Sequence, residues 1–399
     1  MAALDNVSYL ERYAQSLMGV YGRPKAVLTR GQGCYVWDAD GNRYLDLLAG
    51  IAVNALGHAH PAVVDALCRQ AASLIHVSNF FATVPQIELA ERLLTVAGAP
   101  GGSAVFFANS GTEAIEAAIK LSRRTGRTGL VAAEAAFHGR TTGALALTHK
   151  QAYREPFEPL IGSVAHVPLN DEAALRAAVS VEVAALFLEP IQGEAGVVSA
   201  DPAYLQLARE LTTASGTLLI IDEVQTGVGR TGTWFAFQQA GIIPDAITVA
   251  KGLGAGVPIG ALVTFGPAVS ELLKAGQHGT TFGGNPLAAC VGLAVLDTIE
   301  AQDLLAHATA VGNHLVQSVA ALGHPLIRGV RGAGLLRAIE LSADVSAVVA
   351  DRGLSAGFIV NAPTPDVIRL APPLIVTNAQ IESFVAALPT LLDGLEQTS

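Results

Sequence analysis

Cysteine is scarce in this sequence, and its three occurrences lie far apart. Cys34, Cys68 and Cys290 form no CxxC pair, so the spacing indicates neither a disulfide framework nor a zinc site. The first residues contain an acidic side chain at position 5 and no basic segment followed by an apolar one, so no secretory signal is expected. Both observations predict a cytoplasmic protein.

Charged residues are also few, at 15% of the 399 positions, whereas 51% are hydrophobic. No apolar run approaches the roughly 18 residues that a membrane span requires. The formal charge of −10 is spread along the chain, which argues against binding to nucleic acid or to an anionic membrane. A chain of this length and apolar fraction predicts a large interior and a buried subunit interface.

Strand-like apolar runs alternate with helical patterns from about residue 60 to about residue 265. This alternation predicts an α/β fold with a mostly parallel central sheet flanked by helices, in which ligands bind at the carboxyl ends of the strands. The later helices and strands predict a smaller α+β domain. We therefore expect an N-terminal arm with part of the small domain (1–58), a large domain (59–285) and a C-terminal small domain (286–399).

Residues 218–260 contain two apolar strands that each end in an ionisable side chain. LLIID ends at Asp222, and AITVA is followed by Lys251. A carboxylate and an amine at strand ends suit a cofactor that needs a covalent amine anchor and an anionic partner for a ring nitrogen, which indicates pyridoxal phosphate. Either residue alone has a structural alternative, since Asp222 could cap a turn and Lys251 could be a solvated charge.

The segment NSGTE follows another apolar strand and opens a helix. The backbone amides of Gly111 and Thr112 and the hydroxyls of Ser110 and Thr112 would face a phosphate at the helix N-terminus. An ordinary helix cap produces the same pattern, so the motif alone does not decide between the two.

Aromatic, basic and acidic side chains follow two further strands. In AFHGRT, Phe137 could cover a ring face and Arg140 could bind a carboxylate. Glu189 and Glu194 leave an apolar strand, where carboxylates are costly unless something pairs with them.

Two other motifs have weaker support. GVGRTG at 227–232 fits the dinucleotide pattern GxGxxG, but its first glycine follows DEVQT rather than the strand end, and no long helix comes after it. His58 and His60 have no nearby third ligand, so no metal is expected.

Together these segments resemble the class III aminotransferases of fold type I, pyridoxal phosphate enzymes that include acetylornithine, ornithine and 4-aminobutyrate aminotransferases. The matching segments cover nearly the whole chain in family order: NSGTEA, AFHGRT, EPIQGEAGVV, DEVQTGVGRTG, AKG, HGTTFGGNP, RGAGLL and IRLAPPL. The resemblance implies pyridoxal 5′-phosphate as cofactor and a homodimer with shared active sites.

The resemblance also implies roles for single residues. Lys251 would anchor the cofactor and move a proton, and Asp222 would keep the ring nitrogen protonated. Cofactor contacts are implied for Ser110, Gly111, Thr112, Phe137, Val224 and Gln225, and for Thr281 reaching across from the partner subunit. Substrate contacts are implied for Arg140, Glu194, Arg369, Thr280 and Ile51.

Three of these substrate residues have a defined task in the resembling family. Arg369 would bind the α-carboxylate of the keto acid or amino acid, and Glu194 would pair with Arg369 when a distal-amine donor occupies the site. Arg140 would bind the donor's carboxylate. Glu189 would have only a supporting role near the cofactor.

Two positions bear on the choice of substrate. Where this chain has Ile51, ornithine aminotransferases carry a tyrosine that helps to hold the free α-amino group of ornithine. An apolar residue at this position favours a donor whose α-nitrogen is acylated, although it also permits 4-aminobutyrate. Ile115 stands where the family usually has asparagine. Some 4-aminobutyrate aminotransferases also have an apolar residue at this position.

The overall resemblance implies transfer of the distal amino group of N2-acetyl-L-ornithine to 2-oxoglutarate by a double-displacement cycle in arginine biosynthesis. The products would be N-acetyl-L-glutamate 5-semialdehyde and L-glutamate. Succinyldiaminopimelate, ornithine and 4-aminobutyrate are alternative donors. A non-catalytic binding protein of the same fold is the alternative from a different class.

Overall fold

The structure is a computed structural model that describes residues 5–395. The strands of this range are β1 (Leu28–Gln32), β2 (Tyr35–Asp38), β3 (Arg43–Asp46), β4 (Ala104–Ala108), β5 (Gly129–Ala133), β6 (Val164–Val167), β7 (Val183–Leu188), β8 (Ile191–Gln192), β9 (Val198–Ser199), β10 (Leu218–Asp222), β11 (Ala246–Val249), β12 (Gly260–Thr264), β13 (Ile327–Ala333), β14 (Leu336–Leu341), β15 (Phe358–Ile359), β16 (Asn361–Thr364) and β17 (Val367–Leu370).

The helices are α1 (Asn6–Ser16), α2 (Ala49–Ala52), α3 (Pro61–Ala71), α4 (Val84–Ala97), α5 (Gly111–Arg123), α6 (Thr142–Leu147), α7 (Gln151–Arg154), α8 (Glu172–Ala178), α9 (Pro202–Ser215), α10 (Pro267–Ser270), α11 (Pro286–Ala301), α12 (Leu304–Ala321), α13 (Ser346–Ser355) and α14 (Asn378–Leu392). Short 3₁₀ turns occupy Gly19–Tyr21, Glu155–Phe157, Ala236–Ala240 and Lys251–Gly254.

The central sheet has the strand order β4-β12-β11-β10-β7-β5-β6. Its strands pair in parallel except for β12, which runs antiparallel to β4 and β11. Along β10, Leu219 and Ile221 pack into one apolar cluster while Leu218 and Ile220 pack into another. Burial on both faces explains why this strand reads as a continuous apolar run. The predicted α/β class with a mostly parallel central sheet is confirmed.

Helix α5 covers one face of the sheet and begins at the edge where the site was predicted. The Ser110 hydroxyl accepts a hydrogen bond from the Glu113 N–H at 3.3 Å, which caps the helix. Ile115 is fully buried in an apolar cluster that includes Phe187 and Ile220. An apolar side chain therefore fits the position at which the resembling family usually has asparagine.

Two four-stranded sheets accompany the central one, in the orders β1-β2-β3-β15 and β13-β14-β17-β16. Strand β15 pairs in parallel with β3, which places Phe358 opposite Leu45. Segments from both ends of the chain therefore share one sheet. The domain division at residues 58 and 285 stays a prediction.

Asp38 ties the start of α1 to the hairpin of β2 and β3. Its carboxylate accepts hydrogen bonds from the Tyr44 hydroxyl at 2.8 Å and from the side-chain amides of Asn6 and Asn42 at 2.9 and 3.0 Å. Desolvation opposes ionisation, but these hydrogen bonds, led by those of Asn42 and Tyr44, lower the pKa of Asp38 to about 2.

We expect Asp38→Asn to destabilise the protein by about 1.5–3 kcal/mol, because an amide cannot replace a charged acceptor of several hydrogen bonds. The folded-state pKa lies below the ordinary 3.8, so the wild-type advantage should be present above about pH 4 and lost as the pH falls toward 2. Calorimetric unfolding at several pH values measures this, with Asp344→Asn on the surface as control. A difference that does not depend on pH would contradict the assignment.

Candidate active site

A cavity of about 410 Å³ opens where the central sheet meets the start of α5. Its walls come from the segments that follow β4, β5, β7, β10 and β11. This edge is where α/β sheets bind ligands, and the volume suits a small molecule. The predicted site residues that line it are Ser110, Gly111, Thr112, Phe137, Arg140, Glu194, Asp222, Val224, Gln225 and Lys251.

Asp222 is the buried acid of the cavity and is only 4% exposed. Its Oδ1 accepts hydrogen bonds from the Thr248 hydroxyl and the Val224 N–H, both at 3.0 Å. Its Oδ2 lies 2.8 Å from Nδ1 of the buried His138. Burial alone would lower the pKa of His138, but the hydrogen bond to Asp222 and the charge of Asp222 raise it. The carboxylate is therefore fixed in one orientation beside an imidazole that readily holds a proton.

Lys251 is the amine of the cavity. It opens the 3₁₀ turn after β11 with a φ of 41°, a left-handed conformation that is strained for a residue with a Cβ. Desolvation lowers the pKa of Lys251, and the positive charge of Arg369 lowers it further. A lowered pKa increases the fraction of neutral amine, which is the nucleophilic form.

The start of α5 forms a wall suited to an anion. A Cβ at Gly111 would lie 2.8 Å from both γ-methyl groups of Val224, so glycine is required for this close approach. The Thr112 hydroxyl lies 2.8 Å from the hydroxyl of Thr141. The unpaired N–H groups at the start of this 13-residue helix attract negative charge such as a phosphate.

Phe137 and Gln225 form two further walls. The Phe137 N–H donates to Oε2 of Glu189 at 3.0 Å, and burial raises the pKa of Glu189 to about 7. Oε1 of Gln225 is buried without a hydrogen-bond partner in the described chain. A Cβ at Gly193 would lie 1.6 Å from this oxygen, so glycine leaves room for the amide. An unpartnered buried amide in a cavity wall indicates a ligand group that hydrogen-bonds to it.

Arg369 and Glu194 form an ion pair at one side of the cavity. Nη1 of Arg369 donates to Oε1 of Glu194 at 2.7 Å, and Nη2 donates to Oδ1 of Asn361 at 2.7 Å. Glu194 lines the cavity, whereas Arg369 is only 1% exposed and does not line it. Both terminal nitrogens of Arg369 are therefore paired with side chains of this chain.

The remaining predicted residues also lie outside the cavity wall. Ile51 is 40% exposed and sits in α2, whose four residues all have positive φ and so form a left-handed turn. The Thr280 hydroxyl accepts a hydrogen bond from Asn109 of the cavity wall at 2.9 Å. Thr281 is exposed on the loop before α11. The binding roles of these residues stay predictions.

The GVGRTG loop at 227–232 forms turns in the structure. Its buried Arg230 donates to the carbonyl of Leu335 at 3.1 Å and to that of Pro372. The short 3₁₀ turn Ala236–Ala240 follows, in place of the long helix of a dinucleotide fold. His58 Nε2 lies 2.8 Å from Oδ2 of Asp46. Among residues 5–395, no three His, Cys, Asp or Glu side chains are grouped to hold a metal ion.

His138 and Asn109 line the cavity, although the sequence analysis assigned neither a role. The motif AFHGRT showed a histidine after a strand. However, the carboxylate that orients its ring lies 84 positions away in the sequence, so the partnership has no local signal.

The residues of the cavity fit pyridoxal 5′-phosphate. The start of α5 would hold the phosphate, Phe137 would cover the ring, and Asp222 would face the ring nitrogen. Gln225 supplies an unpartnered amide for a ring substituent, and Lys251 supplies the amine. A mostly parallel α/β sheet with this site defines the class of pyridoxal-phosphate-dependent transferases of fold type I.

Within this class of transferases, comparison with known proteins identifies the family. The chain belongs to the class III aminotransferases, because the family described as Aminotransferase class-III matches residues 19–392. The expected aminotransferase family is thus confirmed. No helix within residues 5–395 is long and apolar enough to cross a membrane.

Individual relatives match over nearly the whole chain. The acetylornithine aminotransferase of Streptomyces coelicolor is 54% identical over 397 residues, 99% of this chain and 98% of the relative. That of Mycolicibacterium smegmatis is 54% identical over 388 residues, 97% and 99% of the two chains. The solved ornithine aminotransferase of Toxoplasma gondii has a TM-score of 0.92 at 31% identity, covering 98% and 95%. The solved acetylornithine aminotransferase of Elizabethkingia anophelis has a TM-score of 0.86 at 33% identity, covering 97% and 99%.

We expect Arg369→Ala to weaken binding of a keto acid such as 2-oxoglutarate about 30- to 4000-fold, because losing a buried charged partner costs about 2–5 kcal/mol. Arg369→Lys should recover only part of the loss, since lysine cannot donate two parallel hydrogen bonds. Single-turnover rates against keto-acid concentration measure the effect, with Arg176→Ala on the exposed face of α8 as control. Unchanged affinity in Arg369→Ala removes this arginine from the site.

Proposed function

We propose that this enzyme transfers the distal amino group of N2-acetyl-L-ornithine to 2-oxoglutarate in arginine biosynthesis. The products are N-acetyl-L-glutamate 5-semialdehyde and L-glutamate. The observation that carries the proposal is the 54% identity to acetylornithine aminotransferases over nearly the full length of the chain. Structural similarity alone leaves the donor open, because solved ornithine and acetylornithine aminotransferases match at 31% and 33% identity.

The enzyme uses pyridoxal 5′-phosphate, which supplies an aldehyde for the amino group and a ring that withdraws electrons from the reacting carbon. Asp222, oriented by His138, keeps a proton on the ring nitrogen. Lys251 would anchor the cofactor until the donor's amine displaces it, and the freed Nζ would then move a proton at the carbon that bears the donor's amine. The backbone amides of Gly111 and Thr112 hold the phosphate.

The same pocket binds the amine donor and the keto-acid acceptor, which carry different groups next to the reacting carbon. The acceptor 2-oxoglutarate presents its α-carboxylate there, and Arg369 binds it once Glu194 has turned away. The distal-amine donor presents a methylene group, and Glu194 then neutralises Arg369 through the 2.7 Å ion pair. Arg140 lines the cavity as an exposed cation and binds the donor's carboxylate.

Ile51 supports an acylated donor. The free α-ammonium of ornithine would lose hydration next to an apolar side chain, whereas an acetylated nitrogen carries no charge. Val53, two positions later in the chain, lines the cavity, which supports a role for the left-handed turn of Ile51 near it. Ile51 therefore disfavours ornithine more than it disfavours acetylornithine.

The proposal includes a homodimer with shared sites. Thr281 is exposed on its loop, and the adjacent Phe282 is 59% exposed. The Asn79 side chain donates to a backbone carbonyl of this loop at 3.1 Å, which joins it to the segment that exposes Phe80 and Phe81. A group of exposed aromatic rings is typical of a subunit interface. In the dimer, Thr281 would reach the partner's phosphate site.

Cys34, Cys68 and Cys290 are free thiols, which suits a reducing compartment, so we place the enzyme in the cytoplasm.

Ornithine, 4-aminobutyrate and succinyldiaminopimelate are the competing donors. A non-catalytic binding protein of this fold is disfavoured, because Lys251 and Asp222 line one cavity.

We expect the donor half-reaction to be at least about tenfold faster with acetylornithine than with ornithine or 4-aminobutyrate, a difference that corresponds to about 1.4 kcal/mol. The absorbance of the bound cofactor during single turnovers measures all three rates. A clear preference for 4-aminobutyrate or ornithine would overturn the substrate assignment. A protein that stays colourless with added pyridoxal phosphate would overturn the enzyme assignment.

We expect a mixed dimer, made of one Lys251→Ala protomer and one Thr281→Ala protomer, to contain one site with wild-type affinity for pyridoxal phosphate. If Thr281 acts across the interface, both substitutions fall in one site and the other site is intact. If Thr281 acts within its own protomer, both sites are defective. Titration of purified mixed dimers with pyridoxal phosphate, together with their turnover, separates the two cases, and the Thr281→Ala homodimer is the control.

A further inference from the structure

Arg140 is held in the cavity by aromatic rings alone. The guanidinium carbon lies 3.6 Å from the centroid of the Tyr153 ring and 5.5 Å from that of the Phe137 ring. No hydrogen bond or ion pair joins the guanidinium to any residue between positions 5 and 395. The side chain is also exposed, so packing against the protein interior does not hold it.

The two arginines of the site are therefore held in opposite ways. Arg369 uses its N–H groups on Glu194 and Asn361, each at 2.7 Å. Arg140 has its guanidinium carbon over the Tyr153 ring, and its N–H donors have no hydrogen-bond partner among residues 5–395. A stacked guanidinium can bind a carboxylate bidentately without first breaking another hydrogen bond.

Tyr153 lies on the helical turn α7, outside the main cavity. It lines a neighbouring cavity of about 400 Å³, and the two cavities share Phe137 and Glu194 as walls. Nζ of Lys150 lies 4.7 Å from the centroid of the same ring and 3.5 Å from its hydroxyl. The electron-rich face of the ring attracts both cations and keeps positive charge at this end of the site.

We propose that Tyr153 is a positioning residue that preorganises Arg140 for the carboxylate of a distal-amine donor. Without the ring, Arg140 would have to give up its side-chain freedom when the carboxylate binds, which would weaken binding. Tyr153 thereby favours amines that carry a distant carboxylate over amines that lack one. The proposal rests on the proposed function, in which Arg140 binds that carboxylate.

Replacement of the ring tests the proposal. Tyr153→Leu should raise the KM for acetylornithine about five- to tenfold and leave kcat within about twofold, because the lost cation–π contact acts on binding. Tyr153→Phe keeps the ring and should stay within about twofold of the wild-type KM. Tyr21→Leu, which alters a tyrosine that is 89% exposed and outside both cavities, is the matched control.

A binding measurement without turnover provides a second readout. N-acetyl-L-norvaline has the carbon chain, carboxylate and acetyl group of acetylornithine but no distal amine, so it cannot react. Calorimetric titration of the holoenzyme should give the same rise in Kd for Tyr153→Leu and no rise for Tyr153→Phe. The rate with n-pentylamine, which has no carboxylate, should be unchanged in Tyr153→Leu. Tyr153→Met replaces the leucine variant if the latter unfolds at a lower temperature.

Arg140→Met separates failure of this inference from failure of the proposed function. If Arg140→Met weakens N-acetyl-L-norvaline binding and Tyr153→Leu does not, Tyr153 has no positioning role and the proposed function stands. If neither variant changes the Kd, the donor carboxylate does not bind at Arg140, and that part of the proposed function is wrong. Equal losses with acetylornithine and n-pentylamine, or a loss in Tyr153→Phe, would likewise overturn the role assigned to the ring.

Discussion

The site depends on holding one buried carboxylate, that of Asp222, in a fixed orientation within an apolar sheet. A buried charge costs several kcal/mol unless hydrogen bonds and a partner compensate for it. Here the compensation comes from Thr248 on the neighbouring strand, from the Val224 N–H and from His138. The register of β10 and β11 places Asp222 opposite Thr248, and Lys251 follows Thr248 by three positions. The pairing of β10 with β11 that gives Asp222 its hydrogen bond from Thr248 therefore also positions Lys251.

Burial acts in opposite directions on the acids and bases of this cavity. It raises the pKa of Glu189 to about 7 and lowers that of Lys251, because each group is less stable charged in the desolvated site. The two arginines show the complementary arrangement. Glu194 covers Arg369, whereas Arg140 is stacked and leaves its N–H groups accessible. One arginine beside the cavity is thus paired with a carboxylate, whereas the arginine that lines the cavity has no hydrogen-bond partner among residues 5–395.

Much of the fold was predictable because burial leaves a local pattern. The run LLIID predicted a strand, and β10 occupies Leu218–Asp222. Boundaries were less predictable. The helical pattern from Pro61 continues to about Ile75, but α3 ends at Ala71. Ile75 lies beyond the end of this helix and is 54% exposed, so its apolar side chain does not extend the buried face of α3.

The sequence by itself determined the α/β class, the start of α5 after the NSGTE segment, and the positions of Asp222 and Lys251 at two strand ends. Each of these follows from a short run whose apolar period or terminal residues are visible locally. The tertiary structure alone decided that His138 orients Asp222, that Glu194 covers Arg369, that Tyr153 stacks on Arg140 and that Ile51 sits in a left-handed turn. The first two contacts join positions 84 and 175 residues apart, and the last two depend on side-chain direction and backbone strain. Such features arise only when distant segments pack together, because no local pattern of residues encodes their geometry.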